Sequence, residues 1–184
     1  VKTTVSTHKL PGYGATLRTA KRLTDQAVRI VNRSVPGRMP DVEVTLTNAR
    51  GMAELAVTAE VELAGQVDKR ARARAERTAK RLAKEAAARA IPRPDGSVLV
   101  LVNVDQHANE AEFAITLVHE LVHAMQFSRK DVVERLTRDL RDAFGIERQT
   151  RRQAREHLHL LQQEEREAYG REYLANQLVP SAAA

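Results

Sequence analysis

The sequence predicts an α+β fold, mostly helical with a small mixed β-sheet, and three observations point there. Apolar residues recur at helical spacing over several long stretches, two short segments (41–47 and 98–104) carry strand patterns, and the composition favours helix-formers. Hydrophobic residues make up 42% of the chain and charged residues 29%, yet only 3% are aromatic and none is Trp, so Ala, Leu and Val must fill the core. The 184 residues, 1–184, are read as a single domain, long enough to bury a substantial core.

Residues 1–14 carry no clear periodicity and are expected to be mobile. Leu17, Ala20, Leu23, Ala27, Ile30 and Val31 then mark an amphipathic helix that stops at Pro36-Gly37-Arg38-Met39-Pro40. Residues 41–47 alternate apolar with polar, as a half-buried strand does, and residues 55–63 (LAVTAEVEL) are read as a second strand. From 65 to 92 the chain is basic, with nine Lys or Arg against three acidic residues, a local excess equal to the net +6 of the whole protein. Val67, Ala71, Ala75, Ala79, Leu82 and Ala86 step through that segment by three and four, predicting a long helix with a narrow Ala-lined inner face. Pro92-Arg93-Pro94-Asp95-Gly96 ends it in a turn, and 98–104 (VLVLVNV) reads as a buried strand.

After a loop, Asn109 and Glu112 stand as N-cap and capping-box partner of a helix that contains Phe113 to Met125, FAITLVHELVHAM. A helix near 131–144, stopped by Gly145, and a longer one over 147–178 complete the chain.

Several function classes are excluded at once. With no Cys, disulfides, thiolate metal sites and thiol nucleophiles are absent, and any metal must be held by His and carboxylate. No apolar run approaches the roughly 18 residues of a membrane span, and VKTTVSTHKL lacks a signal-peptide core. The expectation is a soluble chain, cytoplasmic or delivered as a secreted effector.

On a helix, the polar residues of FAITLVHELVHAM, namely Thr116, His119, Glu120 and His123, fall at i, i+3, i+4 and i+7 and form one stripe. Three ionisable groups on a greasy helix are costly unless they have partners. Two histidines one turn apart can hold one divalent cation, and the Glu between them sits beside that ion without needing to ligate it. Three protein ligands plus a water are typical of catalytic zinc, so a further ligand is required. Gln126 and Arg129 occupy the positions where the extended HExxHxxGxxH pattern needs Gly and His, so a third histidine there is excluded. A carboxylate from the later helix remains, where the chain reads Glu164-Glu165-Arg166-Glu167-Ala168-Tyr169. Leu160, Glu164, Glu167, Arg171, Leu174 and Leu178 share one helical face, which leaves Glu167 and Glu164 as rivals, with His157 and His159 outside them.

With H-E-L-V-H at 119–123 and E-R-E-A-Y at 165–169, the chain resembles the zincin metallopeptidases of the Glu-ligand type, the gluzincins, in their minimal single-domain form. The resemblance covers about 80 residues. It implies a zincin fold in which His119, His123 and Glu167 bind Zn2+, with Glu167 supplied by the C-terminal helix. It also implies an endopeptidase with Glu120 as general base and an extended substrate lying along strand 98–104. Tyr169 and Tyr173 are the candidate oxyanion donors. Arg171 stands where larger relatives often carry a supporting Asp. Two other readings compete: a non-catalytic zincin-like domain of a larger assembly, and a protein that binds nucleic acid or an acidic partner through 65–92.

Overall fold

The computed structural model describes residues 1–179. Its centre is a four-stranded sheet in the order β1-β2-β4-β3, formed by Thr3–Thr7, Val42–Thr47, Val98–Asn103 and Ala88–Pro92 respectively. β1, β2 and β4 are parallel, and β3 joins β4 antiparallel at the edge. The fold is therefore α+β, with six α-helices around this small mixed sheet among the described residues.

The two central strands show how period-2 patterning feeds two cores. Val42, Val44 and Leu46 of β2, with Val98, Val100 and Val102 of β4, enter one apolar cluster with α1 (Gly14–Ser34) and α4 (Glu110–Phe127). Leu99 and Leu101 point to the opposite face and pack with Met52, Ala53, Ala56 and Ala59 of α2 (Ala49–Ala64). Covering both faces suits parallel strands, whose crossover connections place helices there. α3 (Lys69–Leu82) lies against α2, while α5 (Val132–Ala143) and α6 (Arg151–Tyr169) pack beside α4.

Four expectations are corrected. Residues 55–63 belong to α2, not to a strand: Ala53, Ala56, Val57, Glu60 and Ala64 are buried at helical steps, and Asn48 caps the start by accepting from the Gly51 N–H at 2.9 Å. The basic helix ends at Leu82 rather than near Pro92, because the chain returns as strand β3. Buried Asn103 donates to the carbonyls of Ala83 and Ala86, both at 3.2 Å, and so satisfies backbone groups at that helix end. The start of the chain is drawn into the sheet as β1, where residues 1–14 were expected to be mobile. Finally, α6 stops at Tyr169 instead of running to 178. Gly170 terminates it, and Glu172–Gln177 tightens into a 3₁₀ turn that plants Leu174 and Ala175 in the main core.

Helix α4 begins as its sequence signals. Asn109 accepts from the Glu112 N–H at 2.9 Å, and the Glu112 carboxylate reaches back to the Ala108 N–H at 2.7 Å. None of the described helices is long and apolar enough to cross a membrane.

Candidate metal centre

Helix α4 is buried along most of its circumference, with Leu117, Val118, Leu121, Val122 and Met125 inaccessible to solvent. The polar stripe is the exception. Thr116, His119, Glu120 and His123 all line a cavity of about 570 Å³ whose other walls come from β3, α5 and α6. Burying three faces of the helix leaves its fourth to look into that space.

The two imidazoles converge there, with Nε2 of His119 and Nε2 of His123 3.1 Å apart. Their tautomers follow from the other ring nitrogens. Gln126 donates through its amide nitrogen to the Glu164 carbonyl (2.9 Å) and to Glu167 Oε2 (3.0 Å), so its oxygen faces His123 Nδ1 at 2.8 Å and can only accept. His123 thus carries its proton on Nδ1. His119 Nδ1 lies 2.9 Å from Glu172 Oε1 and donates to that carboxylate in the same way. Both Nε2 atoms then present lone pairs to one point, an arrangement that is repulsive without a cation or proton between them.

A carboxylate closes the group. Glu165 lies 3.6 Å from His119 Nε2 through one oxygen and 3.4 Å from His123 Nε2 through the other. Among the described residues these three form the one cluster with metal-ligand spacing. A tetrahedral ion with bonds of about 2.0–2.1 Å holds its ligand atoms about 3.3 Å apart. The 3.1 Å between the two Nε2 atoms is close to that spacing, and Glu165 brings one oxygen or the other to within 3.6 Å of each of them.

The structure thus brings Glu165, not the expected Glu167, beside the histidines. Glu167 is clamped by Arg129 in a two-pronged ion pair of 2.6 and 2.7 Å, which holds its carboxyl below the usual range, and it also accepts from Gln126. Its rival Glu164 pairs with Arg135. Both do turn inward, as their shared face suggested, but each already has a cation. His157 is buried against Arg135 Nη1 at 2.9 Å, and His159 is exposed and bonded to Gln163.

Glu120 is 7% exposed. Burial is the main influence on its carboxyl and pushes the pKa up to about 7, against the opposing effects of His123 and a hydrogen bond from the Ala90 backbone N–H. A carboxyl so placed can take and return a proton near neutrality.

Of the two tyrosines, Tyr169 lines the cavity, its ring edge-on to His119 with centroids 4.7 Å apart. Tyr173 is 53% exposed and does not line it. Glu172 takes the supporting position beside the first histidine where Arg171 had left none.

The strand expected to meet substrate is also corrected. β4 is paired on both sides, by β2 and β3, so 98–104 has no free edge. β3 is an edge strand, and its residues line the cavity. The Asn103 N–H donates to the Ala87 carbonyl at 2.9 Å. By antiparallel alternation Ala88 and Ala90 then turn their backbone groups outward, toward the cavity.

Sequence reasoning missed Glu165, Glu172 and Gln126. Only Gln126 carried a local signal, since it extends the stripe one step beyond His123. Compared with protein-family models, curated proteins and solved structures, the chain matches none.

Proposed function

We propose that the protein is a zinc-dependent endopeptidase. The observation that carries this reading is the pair of Nε2 lone pairs fixed face to face beside the Glu165 carboxylate, with the buried Glu120 next to them on the same helix. His119, His123 and Glu165 would hold the ion. Zinc bound by such ligands polarises a carbonyl and lowers the pKa of water to about 7.

The chain's own groups do the rest. Glu120 accepts a proton at its carboxylate from the attacking water and delivers it to the leaving amine. Glu172 and Gln126 keep both imidazoles in the ligating tautomer. The free edge of β3 pairs with an extended peptide through the outward Ala88 groups and the Ala90 carbonyl, the Ala90 N–H being held by Glu120, and such a backbone interaction confers little sequence preference by itself. Tyr169 is the remaining candidate for stabilising developing negative charge.

The test is metal analysis together with digestion of an unfolded protein. One zinc per chain is expected, with cleavage that Glu120→Gln abolishes while the zinc is retained. Stoichiometric zinc without cleavage by the wild type would overturn the peptidase reading in favour of a zincin-like binding domain.

A further inference from the structure

The metal centre makes no use of the chain's most charged feature, the 14-residue helix α3. Arg70, Arg74, Arg77 and Arg81 follow one another at i, i+4, i+7 and i+11, so at 100° per residue they fall within about 60° of one another around the helix. They form a row about 17 Å long at 1.5 Å rise per residue. All four are exposed.

The opposite side of α3 is accounted for. Ala71 is buried in a small cluster with Ala64 and Phe144, Ala75 packs on that cluster, and Ala79 packs on the α2 face of the sheet core. The helix is therefore held at a fixed orientation, with its arginine row directed to solvent.

Among the described residues no carboxylate forms an ion pair with that row. Arg22, Arg50, Arg93, Arg129, Arg135 and Arg138 each have a carboxylate within ion-pair distance, whereas the four α3 arginines have none among the described residues. Of two acidic neighbours, Glu76 pairs with Arg72 at 3.2 Å, and Asp68 accepts from the backbone N–H groups of Arg70 and Ala71 as the N-cap, attracting Arg70 and Arg74 only from beyond ion-pair distance. Like charges at i, i+4 spacing repel, so the row opposes helix formation unless an anion faces it.

We propose that α3 docks the phosphate backbone of nucleic acid without reading its sequence. An elongated polyanion matches the row in sign and shape. Arginine rather than lysine favours phosphate, which its planar fork can grip with two hydrogen bonds. Absence of aromatic side chains from α3 argues against base stacking and for backbone contact alone. A bilayer is a poorer occupant, because the apolar side of α3 is turned inward and Leu82 is the one large apolar side chain it exposes. A second copy is disfavoured by the like charge of the two faces.

The experiment measures binding of a labelled 20-base-pair duplex of arbitrary sequence by fluorescence anisotropy between 50 and 200 mM salt. Wild type is compared with R70Q/R74Q/R77Q/R81Q and with a control, R148Q/R151Q/R152Q/R155Q, that removes the same charge from another exposed site. Circular dichroism verifies that both are folded. Each phosphate contact contributes about 0.9 to the slope of log K against log salt. The α3 variant is expected to bind at least tenfold more weakly, with a slope shallower by about two to four, and the control to lose less than threefold. Equal losses in the two variants would reduce the effect to net charge and overturn the proposal. So would absence of duplex binding at 50 mM salt, or tighter binding to poly-glutamate of matched charge, which would assign the face to an acidic protein. Zinc content and peptide cleavage are unaffected by either outcome.

Discussion

Gln126 offers the sharpest test of how the site is held. Its side chain is 1% exposed and makes three hydrogen bonds, to His123 Nδ1, the Glu164 carbonyl and Glu167 Oε2. Gln126→Met keeps the volume and removes all three. Glu167 retains its Arg129 clamp and the Glu164 carbonyl its place in the α6 ladder, so the His123 N–H is the group left without a partner. At about 1–3 kcal/mol for a buried group left unsatisfied, the fold should lose about 1–3 kcal/mol. Freed from Gln126, the His123 ring no longer has its Nδ1 tautomer enforced, and supporting contacts of this kind are worth about 10–100-fold in metal affinity. Urea denaturation of the metal-free protein reads the first quantity, and competition with a chromophoric chelator reads the second. A variant destabilised as expected that binds zinc as tightly as wild type would refute the argument that the Gln126 amide fixes the ligating nitrogen.

Two further outcomes follow from the same geometry. Glu165→Ala should lose stoichiometric zinc in metal analysis, whereas Glu167→Ala should retain it and instead lower the melting temperature, since it strands Arg129; the reverse pattern would restore Glu167 as the ligand. Gly51→Ala should cost about 1–3 kcal/mol by thermal denaturation, because a Cβ at that position would overlap Thr47 Oγ1 at the β2–α2 junction, and an unchanged melting temperature would contradict that packing.

What could be read directly from the sequence is what short-range periodicity encodes. The stripe of α4 depends only on 3.6 residues per turn, so Thr116, His119, Glu120 and His123 had to share a face once the segment was helical. The same local logic located α1, β2, β4, α5 and the Asn109 cap. The segment 55–63 escaped it because VTAEVEL alternates like a strand while its alanines and valines also satisfy helical steps. Burial in α2 against Leu99 and Leu101 favoured the helix, and those contacts are distant in sequence.

The tertiary structure decided which carboxylate meets the histidines and which strand lines the cavity. Glu164, Glu165 and Glu167 lie within four residues, and one residue turns a helix by 100°. The inward tendency of Glu164 and Glu167 was legible, and their side chains are indeed less exposed, at 16% and 26%, than that of Glu165 at 43%. Yet Arg129 and Arg135 reach across from other parts of the chain and take those two, leaving the more exposed neighbour to face the imidazoles. Sheet order is non-local in the same way: that 88–92 returns to cover β4 and becomes an edge strand depends on pairing with 98–103, which periodicity within either segment does not specify. Residue type and local period determine which side chains share a face; long-range pairing determines what that face meets.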